Sequence, residues 1–106
     1  MRKLTTKTPN KTTIIGLSVK DVRFPTSLEK YGSDAMSTPD YSTTYVELVT
    51  DSKDGIKGHG HAFTAGRGNE LVVKAVNAWK PFVIGQNLED IQGDMRGFWR
   101  RMTRDS

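Results

Sequence analysis

Two runs rich in β-branched and aromatic residues, 43–50 and 56–64, are separated only by Asp51-Ser52-Lys53-Asp54-Gly55. A linker of that composition reverses the chain, because Gly55 can take a positive φ while Asp and Ser side chains bond their own backbone. The two runs must then lie side by side as an antiparallel hairpin. In the first of them Val46 and Leu48 share one face, and Tyr45, Glu47 and Val49 the other. The hairpin constrains everything before and after it.

Upstream, Ile15, Leu17 and Val19 alternate with Gly16, Ser18 and Lys20, the period of a strand with one buried face. Pro25 has no amide hydrogen, so that strand ends near Arg23 or Phe24. The connection from Arg23 to Tyr41 is then too long for a hairpin turn. It is also unlike a linker, because Phe24, Tyr31, Met36 and Tyr41 stand among its Gly, Pro, Ser and Asp residues. Aromatics and an acid beside a glycine suit a loop that packs over a small polar ligand.

Downstream, Gly66-Arg67-Gly68 breaks the extended pattern, Asn69 is placed to cap a helix, and Glu70 favours the positive end of its dipole. Leu71, Val72, Ala75, Val76, Trp79, Phe82 and Val83 form one broad apolar stripe. Pro81 is expected to end or kink this helix and Gly85 to close it. Asn87 begins a second helix with Asp90 as its capping partner. Leu88, Ile91, Met95, Phe98, Trp99 and Met102 are expected on its buried face, with Arg96, Arg100, Arg101 and Arg104 on the rest. Strands followed by helices make an α+β domain, set at residues 12–106 behind a disordered basic leader, 1–11.

The chain of 106 residues holds one domain, and its hydrophobic content of 35% leaves part of an apolar face to be completed from outside. Mean hydropathy is −0.56. A net charge of +4 admits an anionic partner without requiring one. With no cysteine there is neither a disulfide framework nor a thiolate metal site. No apolar run is long enough to span a membrane. The opening residues carry Arg2, Lys3, Lys7 and Lys11 and no acid, but Pro9 and the missing apolar stripe argue against an amphipathic presequence. The cytoplasm is the expected compartment, with a mitochondrial location as the weaker alternative.

Three motifs bear on chemistry. His59 and His61 lie two apart on a strand and so face the same way. A zinc site needs three or four protein ligands, and neither a Cys nor a third His exists to complete one. The pair therefore reads as two surface or interface histidines. Gly66-Arg67-Gly68 resembles the start of a dinucleotide fingerprint, but Leu71 stands at the third glycine position and no βαβ unit surrounds it. A tight turn is the better reading than an anion site. The terminal arginines beside Phe98 and Trp99 have the composition of a nucleic-acid patch. Cations also favour a helix C-terminus, and the aromatics fall on the apolar stripe, so a solvated basic face is preferred. No catalytic constellation is present.

Five segments, in order, resemble one family: Asp21-Val-Arg-Phe-Pro-Thr-Ser27, Gly32-Ser-Asp-Ala-Met36, Pro39-Asp-Tyr-Ser42, Phe63-Thr-Ala-Gly-Arg-Gly-Asn69 and Thr103-Arg-Asp-Ser106. They are similar to the N-terminal domain of L-fuconate dehydratases, in the mandelate racemase branch of the enolase superfamily. The resemblance implies an enolase-type capping domain, a three-stranded antiparallel meander followed by helices, packed on a (β/α) barrel. In that family the barrel supplies the lysine and histidine acid–base groups and the carboxylates that hold Mg²⁺. The reaction removes the proton α to a carboxylate and expels the β-hydroxyl, giving a 2-keto-3-deoxy acid. The resemblance implies an L-fuconate-like acid sugar and a C-terminal barrel domain as partners, and no cofactor on this chain itself. It also implies that the chain is a fragment or truncated product, inactive alone.

What the likeness carries over is substrate contact by Gly32, Ser33, Asp34 and Tyr41. An ionised Asp34 accepts hydrogen bonds from sugar hydroxyls, and glycine lets the amides at Gly32 and Ser33 approach closely. Tyr41 offers a ring face and one hydroxyl. The alternative for Asp34 and Tyr41 is to brace the loop. Thr38 stands where the family commonly has Asp before Pro39-Asp40-Tyr41. The competing reading of the whole chain is a non-catalytic basic module that binds anions or nucleic acid.

Overall fold

The computed structural model describes residues 11–24 and 41–104. Three strands, β1 (Ile14–Arg23), β2 (Ser42–Thr50) and β3 (Lys57–Thr64), precede three helices, α1 (Asn69–Val83), α2 (Leu88–Gly93) and α3 (Met95–Thr103). The sheet runs β1-β2-β3 with both pairs antiparallel. This is the α+β order expected above.

The hairpin forms as its linker dictates. Gly55 has φ 69° and its amide donates to the Ser52 carbonyl at 3.0 Å. Thr50 Oγ1 donates to the Ile56 carbonyl at 2.6 Å, so Ile56 belongs to the turn and the strand starts one residue later than expected.

β1 departs from simple alternation. Its register with β2 is regular from Arg23↔Ser42 to Gly16↔Val49 and then jumps to Ile14↔Thr50. The extra residue is Ile15, a β-bulge that flips one side chain to the other face. Ile14 is buried, while Ile15, expected beside Leu17 on the buried face, is 54% exposed. The cause is remote in sequence. Ile14 donates to the Gln86 carbonyl at 2.9 Å and accepts from the Gly85 amide at 2.8 Å, drawing the strand end toward the segment that follows α1.

Ile14, Leu17, Val83 and Ile91 make the buried core, with Val46, Leu48, Val76, Leu88, Phe98 and Met102 packed around it. Pro81 lies inside α1 without ending it. In the last turn its missing amide removes one bond, and the helix still reaches Val83 before Gly85 turns the chain at φ 93°. The apolar stripe of α1 is split. Val76 and Val83 pack inward, whereas Leu71, Trp79 and Phe82 are exposed.

The second helix is two helices. Asp94, at φ −148° and ψ 67°, interrupts it and restarts it by accepting from the Gly97 amide at 3.0 Å. The break rotates the stripe, so Ile91, Phe98 and Met102 stay on the core while Met95 and Trp99 are exposed, contrary to expectation. Asn87 precedes α2 without capping it. Its side chain accepts from Thr13 Oγ1 at 2.9 Å and donates to Asp90 at 3.1 Å. Residues 1–10 of the expected leader lie outside the described residues, and Lys11 forms an ion pair with Asp90.

Candidate functional site at the mouth of the long loop

β1 and β2 continue their pairing one step past their ends, where the Phe24 amide donates to the Tyr41 carbonyl at 2.9 Å. Both stems of the 25–40 segment are thus brought together by the sheet itself. Of the four residues expected at the site, Gly32, Ser33 and Asp34 lie outside the described residues. Tyr41 stands at the mouth. Its ring meets Phe63 of β3 edge-on, centroids 5.3 Å apart at 67°, and Phe63 is itself 63% exposed. Phe24, also exposed, is a third aromatic in the described part of the mouth.

Beneath the mouth lies a polar network built from all three strands and the start of α1. Asn69 is its centre and is wholly buried. Its Oδ1 accepts from Thr44 Oγ1 and Thr64 Oγ1, both at 2.9 Å. Its Nδ2 donates to Asp21 at 2.6 Å and to the Thr43 carbonyl at 3.3 Å. Two donors and two lone pairs are all a side-chain amide has, and all four are used. This corrects the expected capping role. Gly68, at φ 95°, occupies the cap position, and the Asn69 side chain turns sideways into the sheet instead. The relay extends outward, since Ser42 Oγ lies 2.5 Å from Thr64 Oγ1, whose hydrogen already goes to Asn69.

Arg23 closes the network from the solvent side. Its guanidinium forks onto Asp21 at 2.7 and 2.9 Å, donates to the Gly66 carbonyl at 2.8 Å, and reaches Glu70 at 3.4 Å. The Arg23 bond first, and the Asn69 bond second, hold the Asp21 carboxyl below the usual range for aspartate. The same contact raises the Arg23 value. With its carbonyl tied to Arg23 and to the Asn69 amide, Gly66 starts a tight turn, as expected. Nothing in the sequence pattern marked Asn69 as a hub, because its partners come from three separate strands.

Two other features stand apart from the mouth. On the helix side of the sheet a groove of about 440 Å³ is walled by Val46, Leu48, Val72 and Val76 and by the β3 stretch from Gly58 to Ala62, which includes His59 and His61. On the opposite side His59 stacks on Tyr45 and His61 sits beside Thr43. Among the described residues no three His, Cys, Asp or Glu side chains gather to hold a metal ion. None of the helices among the described residues is long and apolar enough to cross a membrane.

No family model matches the chain. It is 61% identical over 90 residues to mitochondrial enolase superfamily member 1 of Bos taurus, covering 84% of this chain and 20% of that protein. It is 46% identical over 95 residues to the L-galactonate dehydratase of Hypocrea jecorina, covering 89% of this chain and 21% of that enzyme. The crystal structure of human mitochondrial enolase superfamily member 1 superposes with a TM-score of 0.80 at 56% identity, over 90% of this chain and 22% of that one. The chain is a homologue of enolase-superfamily proteins. It spans about a fifth of the length of the curated relatives it matches. Its antiparallel sheet followed by helices is the architecture of that superfamily's capping domain without the barrel.

Proposed function

We propose that the chain is the substrate-selecting capping domain of an L-fuconate-like acid-sugar dehydratase. The observation that carries this reading is Tyr41, pinned at the mouth by the Phe24 amide and the Phe63 ring. The backbone bond fixes Tyr41 beside the stems of the 25–40 segment, and the Phe63 ring holds its ring there. In this reading Asp34 accepts from sugar hydroxyls, Gly32 and Ser33 offer amides, and Tyr41 covers the sugar. The sugar-acid dehydratase among the relatives supports the substrate class.

The chemistry itself, loss of the α proton and then of the β-hydroxyl, belongs to a barrel partner in this proposal. So does Mg²⁺. The described residues offer no set of three ligating side chains, so no step is assigned to a metal on them. The mitochondrial alternative for location draws support from the names of the relatives.

The test is a chimera in which this chain replaces the matched segment of the fungal L-galactonate dehydratase. The expected result is retained dehydration with a sugar preference displaced toward L-fuconate. An active chimera with the parent's preference unchanged would contradict the proposal.

One observation favours the basic-module reading: Trp99 is 66% exposed beside Arg96 and Arg100. Stacked bases and a strong salt dependence would accompany nucleic-acid binding. Trp99, however, shares its stripe with exposed Met95, an apolar pairing that suits a protein surface better.

A further inference from the structure

We propose that His59 and His61 form a two-ligand chelating site for a divalent transition-metal ion on the outer face of β3, with solvent or a small anion completing the coordination. The argument rests on which nitrogen of each ring is free. Thr43 Oγ1 donates its single hydrogen to the Ala62 carbonyl at 3.1 Å. Its contact with His61 Nδ1 at 3.0 Å must then be one in which Nδ1–H donates and the hydroxyl accepts. In a neutral imidazole that leaves the lone pair on Nε2.

His59 reaches a similar arrangement by a different route. Its Nδ1 lies 2.5 Å from the Tyr45 hydroxyl and 3.9 Å from Glu47 Oε2. Nδ1 is thus the nitrogen that Tyr45 engages, whichever of the two donates, and Nε2 is the one left toward an ion. The ring is further fixed by stacking on Tyr45, with centroids 5.8 Å apart. Hydroxyl and carboxylate partners on one ring nitrogen are the arrangement that orients a metal-binding imidazole.

The backbone supplies the convergence. Residues two apart on a strand project to the same face, about 6.5–7 Å apart along it. Two imidazoles so placed can bring Nε2 atoms to about 2.0–2.1 Å from a common ion. β3 is an edge strand, so the ion would have open access. Imidazole donors suit zinc, nickel and copper over magnesium or calcium, and copper should bind tightest. Glu47 lies on the Nδ1 side of His59, away from the nitrogen proposed to bind the ion.

Only two histidines exist in the chain, so the test is clean. Titration of the intact chain with zinc, nickel or copper chloride, followed by calorimetry, should show one ion bound more tightly than about 1 mM. His59→Gln and His61→Gln should each weaken binding at least tenfold, and Thr43→Val by about tenfold. Copper should broaden the backbone amide signals of residues 59–61 first. Nitrogen NMR of the metal-free chain should find the His61 hydrogen on Nδ1. The proposal is overturned if a single-histidine variant binds as tightly as the parent chain, if broadening centres on carboxylates elsewhere, or if His61 carries its hydrogen on Nε2. Circular dichroism confirms folding of the variants, since His59 and His61 are exposed and Thr43 is half-buried.

Discussion

Asn69 shows how one side chain can hold a site together without touching a ligand. Its amide joins β1, β2 and β3 to the start of α1, with no unused donor or acceptor. Replacing it with Ala removes a partner from the buried Thr44 hydroxyl, the half-buried Thr64 hydroxyl and the Thr43 carbonyl, for a loss of about 2–4 kcal/mol of stability. The midpoint of urea unfolding should fall accordingly, with an unchanged slope. The acidic partners set a pH dependence. Asp21 is held low chiefly by Arg23, Glu89 by the Thr12 amide, and Asp90 by Lys11. Each folded-state value lies below its ordinary value of 3.8 for Asp or 4.5 for Glu, so the stabilisation is complete above those values. It is lost as pH falls through the lower folded-state values. Unfolding free energy should therefore be flat down to about pH 5 and decline steeply below about 4. Because all three groups are solvent-exposed, added salt should shrink the effect.

At the scale of elements, the hairpin, the strand order and α1 were legible because each depends on local pattern. The turn at Gly55, the alternation in β2 and the spacing of Val72, Val76 and Val83 are short-range signals. The bulge at Ile15 was not legible, since it answers to Gly85 and Gln86 at the far end of α1. Nor was the break at Asp94, where a capping side chain competes with helical continuity and wins. The bulge gives a paired prediction. Ile14→Ala should cost about 2–5 kcal/mol, as for a buried aliphatic, whereas Ile15→Ala should cost less than about 0.5. Equal losses at both positions, measured by chemical denaturation, would restore the simple alternation.

On the scale of the whole molecule, the described residues keep a small core and a broad apolar exterior. Leu71, Trp79 and Phe82 on α1 and Met95 and Trp99 on α3 remain exposed. Exposed apolar groups of this extent mark a surface that another body covers, which in the proposed reading is the barrel. With Trp79 43% and Phe82 54% exposed, Trp79→Ser with Phe82→Ser should cost no more than about 3 kcal/mol while reducing self-association and dye binding of the isolated chain. A large loss of stability would place both rings in the core instead. The low hydrophobic content foretold an incomplete apolar face; which helix faces carry it depended on the splitting of two stripes. Tyr41 is placed at the end of β2 by its backbone bond to Phe24, whereas the roles of Gly32, Ser33, Asp34 and Tyr41 alike rest on the family resemblance.

The central claim is that this chain selects the acid sugar and leaves its chemistry to a partner. Its most direct test is kcat/KM for a panel of acid sugars in the chimera, with and without Asp34→Ala. Loss of a hydrogen bond to a charged acceptor predicts a drop of about ten- to a hundredfold for the preferred sugar, with poor substrates nearly unaffected. Identical ratios across the panel before and after the substitution would contradict it.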